Sequence, residues 1–265
     1  MGNFLPLIQN ENMKIYRRPR TWVMVGILVL LVLTISILWL IFGERSNTSM
    51  WDVAFMESSI LFLLVTIFTV VIAAGGVAEE FTSGTIKLLL IRPWSRSKIL
   101  LSKYISIMIF ALLLAIILFG STLLVNWICF GINAGPDAET TFVGMDGGNP
   151  FSYMLKYYGL TLVSLVVTVT LAFMLSTIFR SSGLAIGFAL FLLLGVNSFV
   201  GLIAMLDYTW IDYLLFIHLN LTQYLDGNPM REGMTLGYSL TVLGVYYVVF
   251  IALTWYIFNK RDVAS

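Results

Sequence analysis

The chain has 265 residues, of which 59% are hydrophobic and only 11% are charged. Soluble domains carry about a quarter charged residues, so this composition excludes a soluble fold. We predict an all-α membrane protein with several spans. The single cysteine, Cys129, excludes an internal disulfide and a cysteine-rich metal site. The formal net charge of +1 hides an uneven distribution of charge along the chain.

Residues 1–20 mix basic and apolar side chains. We predict no cleavable signal peptide, because this segment carries charge and the first apolar run is long enough to span a membrane. Two interpretations of the segment remain open. It is either a helix on the membrane surface, with its cations near anionic headgroups, or a solvated basic segment that only fixes topology. Pro19 is expected to end it.

Six apolar segments have the roughly 20 residues that a membrane-spanning helix needs. We predict transmembrane helices at residues 22–42, 56–78, 99–130, 157–179, 184–206 and 238–258. Tryptophan and tyrosine occur near many of their ends, as expected of interface anchors. Residues 180–183 are too few to join the fourth and fifth helices except as an antiparallel hairpin.

Lysine and arginine predict the orientation of these helices. With the N-terminus inside, only Arg45, Lys156 and Arg231 of the 15 basic residues fall outside. Most acidic residues fall outside, and these include Glu57 at the start of the second span. Both termini are therefore predicted to be cytoplasmic.

Two long segments fall outside in this topology. Residues 131–156 are glycine-rich and acidic and are predicted to form a loop. Residues 207–237 contain the apolar, aromatic stretch Trp210–Leu225, which is too short to span. We predict one or two short helices there that dip into the outer leaflet and pack on the bundle, because backbone at that depth needs protein or water around it.

The main polar interruption in the first half of the chain is Glu79–Lys103, of which residues 79–98 are predicted to form the loop before the third span. Glu79 and Glu80 open it, followed by a polar stretch and then by the cations Lys87, Arg92, Arg96, Lys98 and Lys103. Pro93 donates no backbone hydrogen bond and biases the preceding residue away from helical geometry. We predict a short helix, a break at Pro93, and a new helix beyond it.

No motif for catalysis or nucleotide binding occurs in the sequence. It lacks G-x-x-x-x-G-K-[ST], H-E-x-x-H and G-x-S-x-G, so we predict no catalytic residue, no metal site and no cofactor bound by this chain. His218, the only histidine, is expected to be packed. No charged residue lies near the middle of a predicted span, which argues against a secondary carrier driven by a buried acid.

The polar interruption also contains a sequence motif that resembles one of a known protein family. The motif E-E-x-x-x-G-T-x-x-L-L-x-x-R-P-x-S-R at Glu79–Arg96, the six predicted spans and the basic segment Glu11–Arg18 resemble the permease subunits of ABC-2 type exporters. The resemblance covers the whole chain and is most specific in the motif. It looks closest to the bacterial half-size permeases of peptide-antibiotic resistance and immunity systems.

This resemblance implies partners in a bacterial plasma membrane. A second permease subunit, identical or related, would pair with this chain within the membrane lipid. Two separate ATP-binding subunits would hold ATP and magnesium, and no nucleic acid is expected as a partner. The resemblance also implies that the Trp210–Leu225 stretch forms re-entrant outer helices.

The resemblance also implies site residues. Residues 79–91 would be a coupling helix seated in the ATPase, with the coupling residues Glu79, Glu80, Phe81, Thr82, Ser83, Gly84, Thr85 and Lys87. The N-terminal segment would be the connecting helix, with Glu11, Lys14, Arg17 and Arg18. The second and fifth spans would line the path, which brings Thr66, Thr69, Asn197 and Ser198 towards it.

Three interpretations of function remain open. The first is the permease of an ATP-driven exporter, and a path without fixed charges suits amphipathic, lipid-like or peptide cargo. The second is a membrane anchor or sensor of an ATPase complex that moves no substrate. The third, a secondary carrier or intramembrane enzyme, is disfavoured by the missing charges and motifs. Glu79 and Glu80 likewise pair either with cations of the ATPase or with cations of this chain.

Overall fold

The computed structural model describes residues 4–43, 49–85, 94–131, 149–204, 208–225, 227, 229–231 and 233–260, without the side chains of Asn197, Ser198, Leu202 and Ala204. Every regular element in these ranges is helical. The α-helices are α1 (Phe4–Tyr16), α2 (Pro19–Phe42), α3 (Met50–Thr82), α4 (Arg96–Phe130), α5 (Pro150–Ile178), α6 (Ser182–Leu190), α7 (Asn197–Ala204), α8 (Leu215–His218) and α9 (Leu236–Lys260).

Five of these helices, α2, α3, α4, α5 and α9, are long and apolar enough to cross a membrane. The prediction of an all-helical membrane protein is confirmed to this extent. The predicted span 184–206 differs, because α6 and α7 are joined by the π-helical segment Phe191–Val196. π-Helical turns are rare and occur often at functional positions. Hydropathy does not reveal them, since it measures composition and not the backbone hydrogen-bond pattern.

Helices α3 and α5 begin earlier than their predicted spans, because polar caps start them. The side chain of Ser49 accepts a hydrogen bond from the backbone of Trp51 at 3.3 Å, and Asp52 accepts one from the backbone of Ser49 at 3.2 Å. This reciprocal capping begins α3 at Met50. Similarly, α5 begins at Pro150, so the predicted loop 131–156 ends in helix. Residues 132–148 of that loop lie outside the described residues.

Helix α3 is the centre of the bundle. It packs against α4, α5 and α6. The apolar parts of α3 and α5 are 56% and 67% buried, against 17% for α2 and for α9. A Cβ atom on Gly76 would lie 3.2 Å from the side chain of Ile107 on α4, so glycine permits a close approach here. The faces of α2 and α9 that are exposed in the single chain are apolar and suit contact with lipid.

The stretch between α7 and α9 folds into short pieces that pack on the bundle. Two 3₁₀ turns, Thr209–Tyr213 and Leu221–Tyr224, flank α8. His218 is fully buried here, with its ring nitrogens 2.8 Å from the Ser239 hydroxyl and 2.8 Å from a backbone carbonyl oxygen. The short helices predicted for this stretch are therefore present, and the histidine has a packing role.

Candidate functional site

Helix α1 is fastened along the start of α4. Leu7 of α1 is buried against Ile99 of α4, and the hydroxyl of Ser106 donates a hydrogen bond to a backbone carbonyl of α1 at 3.3 Å. The chain then turns into α2, where the hydroxyl of Thr21 donates to the carbonyl of Ile15 at 2.5 Å. These contacts place the charged residues of α1 beside the first turns of α2 and α4 and the last turn of α3.

Seven charged side chains meet at this end of the bundle, and we call them the ion-pair cluster: Glu11, Lys14, Arg18, Arg20, Glu79, Glu80 and Lys103. Glu79 pairs with Arg18 and, at 2.8 Å, with Arg20. Its neighbour Glu80 lies 2.5 Å from Lys103 and 3.3 Å from Lys14. Both carboxylates of the sequence motif are therefore held by cations of this chain.

Lys103 is the most deeply buried member of the ion-pair cluster. Its side chain is 5% exposed, and its ammonium nitrogen also lies 2.8 Å from Glu11. Burial alone raises the pKa of Glu11, but the charge of Lys103, together with hydrogen bonds from Lys103 and Lys14, outweighs burial and holds that pKa below its usual value. Glu11 and Lys103 are thus both charged in the folded protein, as buried ions require.

Helix α3 continues through Glu79, so no separate coupling helix starts at that residue. Residues 79–82 form the last turn of α3, because the helical pattern of the second span continues through these polar positions. Gly84 then adopts a left-handed φ of 69°, which glycine allows at the end of a helix. Lys87 and the rest of the predicted coupling helix, residues 86–93, lie outside the described residues.

The turn after α3 is exposed and tied to the neighbouring hairpin. Thr82, Ser83, Gly84 and Thr85 are all exposed, and Phe81 is partly buried against the core. The hydroxyl of Thr82 accepts a hydrogen bond from the backbone of Ser182, at the start of α6, at 3.1 Å. A movement of this turn would therefore reach the connection between α5 and α6.

Sequence reasoning found most of the ion-pair cluster but missed two of its members. Arg17, which the resemblance assigned to the connecting helix, is exposed and stays outside the cluster, whereas Arg20 joins it. Lys103 was counted only as one cation of a basic run. Its position inside an apolar helix was the available signal, because a charge there needs a buried partner.

The residues expected to line a path are only partly described. Thr66 and Thr69 donate their hydroxyl hydrogen bonds to backbone carbonyls of their own helix, at 3.0 Å and 2.8 Å. Thr69 is fully buried. The side chains of Asn197 and Ser198 lie outside the described residues. The hydroxyl hydrogens of Thr66 and Thr69 are thus used within α3.

A cavity of about 760 Å³ lies beside the ion-pair cluster. Its walls combine the charged side chains with Ile72, Gly76 and Ile107. Two buried polar atoms in its wall, Nε of Arg20 and one carboxylate oxygen of Glu80, have no hydrogen-bond partner among the described residues. The cavity is therefore polar enough to hold water or the polar group of a ligand. Among the described residues, no three histidine, cysteine or acidic side chains form a metal site.

A family model described as "Protein of unknown function (DUF2705)" matches residues 23–264. The chain belongs to this family. The match includes Glu79, Glu80 and Lys103 and begins after α1, so the DUF2705 region contains one side of the ion-pair cluster and not the helix that pairs with it.

Two relatives from Bacillus subtilis (strain 168) are similar over most of the chain. "Uncharacterized protein YhcI" is 36% identical over an alignment of 313 positions, which spans 98% of this chain and 100% of the relative. "Uncharacterized membrane protein YdbK" is 31% identical over 202 aligned residues, which cover 76% of this chain and 78% of the relative. The name of the second relative agrees with the five apolar helices found here.

Proposed function

We propose that this chain is the membrane-spanning permease subunit of an ATP-driven exporter of the ABC-2 type. The observation that carries the proposal is the motif at Glu79–Arg96, placed between two long apolar helices. Its two acidic residues lie in the last turn of one of these helices, where Glu80 pairs with Lys14 of α1 and Glu79 pairs with Arg18 and Arg20 at the start of α2. ATP would be hydrolysed by separate subunits, and this chain would carry no catalytic residue.

The proposed topology has six spans in the plasma membrane of a bacterium, with both termini cytoplasmic. The fifth span would be the run of α6, the π-helical segment and α7. The orientation is supported by the basic residues at the cluster end of the bundle. There, Arg96 at the start of α4 donates a hydrogen bond to the carbonyl of Asn259 near the end of α9, at 3.2 Å. In this orientation α1 lies at the inner membrane surface and the short helices before α9 re-enter the outer leaflet.

The ion-pair cluster links several helices, so it is suited to transmitting a movement from one helix to the others. A force on the turn after α3 would act through Glu79 and Glu80 on α1, on the start of α2 and on α4 together, because cations from all three bind these acids. Exposed Thr82–Thr85 and the segment that contains Lys87 would form the surface that meets the ATP-binding subunit. The Lys103–Glu80 pair is the buried one of these contacts, with side chains 5% and 12% exposed, so packing fixes its geometry.

The remaining parts of the proposal concern partners and cargo. Two ATP-binding subunits would dock below a pair of permease subunits, identical or related. The path would run along α3 and the α6–α7 run, with Thr66, Thr69, Asn197 and Ser198 as lining candidates. Cargo would be amphipathic, lipid-like or peptide, because the lining candidates carry no fixed charge.

One observation favours a second candidate, a membrane anchor or sensor subunit that moves no substrate. The hydroxyls of Thr66 and Thr69 are hydrogen-bonded within their own helix. These two lining candidates therefore offer no free hydroxyl hydrogen to a cargo molecule. The two candidates differ in whether cargo moves, and both require an ATPase partner.

The test of the ATPase partner is purification of the full-length chain in mild detergent from its native membrane. A P-loop ATPase in near-equal amount is the expected result. A chain that comes alone and stays monomeric through gentle solubilisation would refute both candidates. Uptake of a labelled amphipathic peptide by inverted vesicles then separates the exporter from the anchor.

A charge swap tests how Glu79 and Glu80 take part. Glu79→Lys with Glu80→Lys is expected to weaken ATPase coupling, and unchanged coupled transport would remove that role. Glu79→Lys alone, combined with Arg18→Glu and Arg20→Glu, restores opposite charges around residue 79 and leaves the pairs of Glu80 with Lys14 and Lys103 intact. Recovery of ATPase stimulation in the swapped variant would assign Glu79 to pairing within the chain. Stimulation that stays low would assign it to direct contact with the ATPase.

A further inference from the structure

A second polar cluster lies at the opposite end of the bundle from the ion-pair cluster. It joins three helices through Ser36 of α2, Glu57 of α3 and Asn126 of α4, and each of these side chains is 0% exposed. Hydropathy places Glu57 at the outer edge of a span. In the structure it lies about two turns inside α3, which begins at Met50. An ionisable group buried between apolar helices needs a physical explanation.

The three side chains form a closed triangle of polar atoms. The hydroxyl oxygen of Ser36 lies 2.5 Å from one carboxyl oxygen of Glu57. The amide nitrogen of Asn126 lies 2.7 Å from the other. The same hydroxyl oxygen lies 3.5 Å from the amide oxygen of Asn126. The amide nitrogen also donates to the carbonyl of Thr122 at 2.9 Å, so its two hydrogens are both used and its orientation is fixed.

No cation balances Glu57 among the residues that the structure describes. The ion pairs in these ranges all lie elsewhere. From α5, the titratable group that faces Glu57 is Tyr158, whose hydroxyl donates to Ser58 at 2.9 Å. On α3 itself, Asp52 lies nearer the N-terminus, at the capped start of the helix. Ser36 and Asn126, from α2 and α4, are neutral. A carboxylate buried without a cation is so unfavourable that such a group takes up a proton instead.

We propose that Glu57 is a proton-binding site, occupied at neutral pH, whose neutral carboxylic acid closes a hydrogen-bond ring with Ser36 and Asn126. The acid donates its proton to the hydroxyl of Ser36. Ser36 donates in turn to the amide oxygen of Asn126, and the amide nitrogen donates to the second carboxyl oxygen of Glu57. The ring is uncharged, and each of its polar atoms has a partner.

Loss of the proton breaks the ring. Ser36 must then donate to the charged carboxylate, and the amide oxygen of Asn126 is left buried without a donor. An unsatisfied buried acceptor and an unpaired buried charge arise together. Helix α2 has few other anchors, since only Thr21, Leu28 and Val32 are buried beside Ser36. The bound proton therefore controls how firmly α2 is held against α3 and α4.

Infrared spectroscopy of the full-length protein in detergent at neutral pH tests the site. We expect a carboxylic acid carbonyl band that is lost in Glu57→Gln. The band should shift to higher frequency in Ser36→Ala, because the acid then loses its acceptor. The matched control is Asp212→Asn, which removes an acid paired with Arg231 at 3.1 Å and should leave the band unchanged. A native protein without the band, or a band unaffected by Glu57→Gln, would overturn the proposal.

A second measurement decides the matter if Glu57→Gln does not fold. The Ser36→Ala protein is then compared with the native one, and an acid band at the same frequency in both would also overturn the proposal. Where Glu57→Gln folds, thermal unfolding adds a linkage test. Folding takes up about one proton at this site, so the native midpoint falls as pH rises through neutrality and the Glu57→Gln midpoint does not. Equal pH dependence in the two proteins would count against the site.

Discussion

Replacing Lys103 with methionine tests whether the ion-pair cluster stabilises the fold. The ammonium nitrogen of Lys103 lies 2.8 Å from Glu11 and 2.5 Å from Glu80, and the side chain is only 5% exposed. Methionine is unbranched and apolar, so the substitution keeps most of the packing and removes the charge. The two carboxylates then lose a shared cation in a place that water reaches poorly.

The expected loss is about 3 kcal/mol of unfolding free energy. Removing one partner of a buried ion pair costs about 3–5 kcal/mol. The lower end applies because Lys14 remains 2.6 Å from Glu11 and 3.3 Å from Glu80. Lys14 is 39% exposed, so solvent screens its charge and it replaces Lys103 only in part. A loss of about 3 kcal/mol is roughly a hundredfold change in the unfolding equilibrium constant.

Denaturant unfolding of the full-length protein in mild detergent measures this loss. The matched control is Lys98→Met, which removes an exposed lysine from the first turn of the same helix, where it lies 5.8 Å from the ring of Trp94. It should change stability by at most about 0.5 kcal/mol. A triple variant, Lys103→Met with Glu11→Gln and Glu80→Gln, should recover most of the loss because the only charge left unpaired among these residues, that of Lys14, is 39% exposed to solvent. If Lys103→Met costs no more than the control, the ion-pair cluster contributes no net stability.

Three further predictions concern local contacts. The pKa of Glu11 is lowered on folding, so the Glu11 carboxylate stabilises the fold at neutral pH, and this contribution is lost as pH falls through the lowered pKa. The unfolding midpoint of Glu11→Gln should therefore drop less in acid than that of the native protein. Ser176→Ala should lower the free energy of unfolding by about 1–3 kcal/mol, since the Ser176 hydroxyl accepts hydrogen bonds from two backbone amides of α3 at 2.9 Å and 3.0 Å. Denaturant unfolding measures this loss. The control is Ser121→Ala, which removes a hydrogen bond within one helix. Gly76→Val should push α3 from α4 and lower the yield of monodisperse protein in size-exclusion chromatography, whereas Gly120→Val, with no neighbour within 4 Å of an added Cβ, should not.

Buried charge is neutralised in different ways at the two ends of the bundle. At one end, carboxylates of α1 and α3 are paired with lysine and arginine. At the other end, the proposed ring removes the charge by binding a proton. Both arrangements hold a peripheral helix, α1 or α2, onto α3 and α4. The attachment of each peripheral helix is therefore sensitive to protons, in the acidic range at one end and around neutrality at the other.

Composition and hydropathy were enough to predict the class of this protein and most of its long helices. Apolar runs of about 20 residues determine a membrane-spanning helix locally, because lipid leaves backbone groups no partner except the helix itself. The break at Pro19 and the short connection between α5 and α6 were predictable for the same reason, since each depends on a few adjacent residues. Helix ends were less predictable, because the polar caps of Ser49 and Asn149 lie outside the apolar runs.

Only the tertiary structure decided which charges meet. Glu11 and Lys103 are 92 positions apart in sequence, and their pairing depends on how α1 lies across α4. The outer faces of α3 and α4 are apolar as well, for example at Ile60 and Leu112, so periodicity does not show that Glu57 and Asn126 point inwards. Burying a charged residue in such a helix costs free energy at any position, and the sequence alone reveals that cost. Which partner removes the cost depends on helix packing, which the order of residues along one helix does not specify.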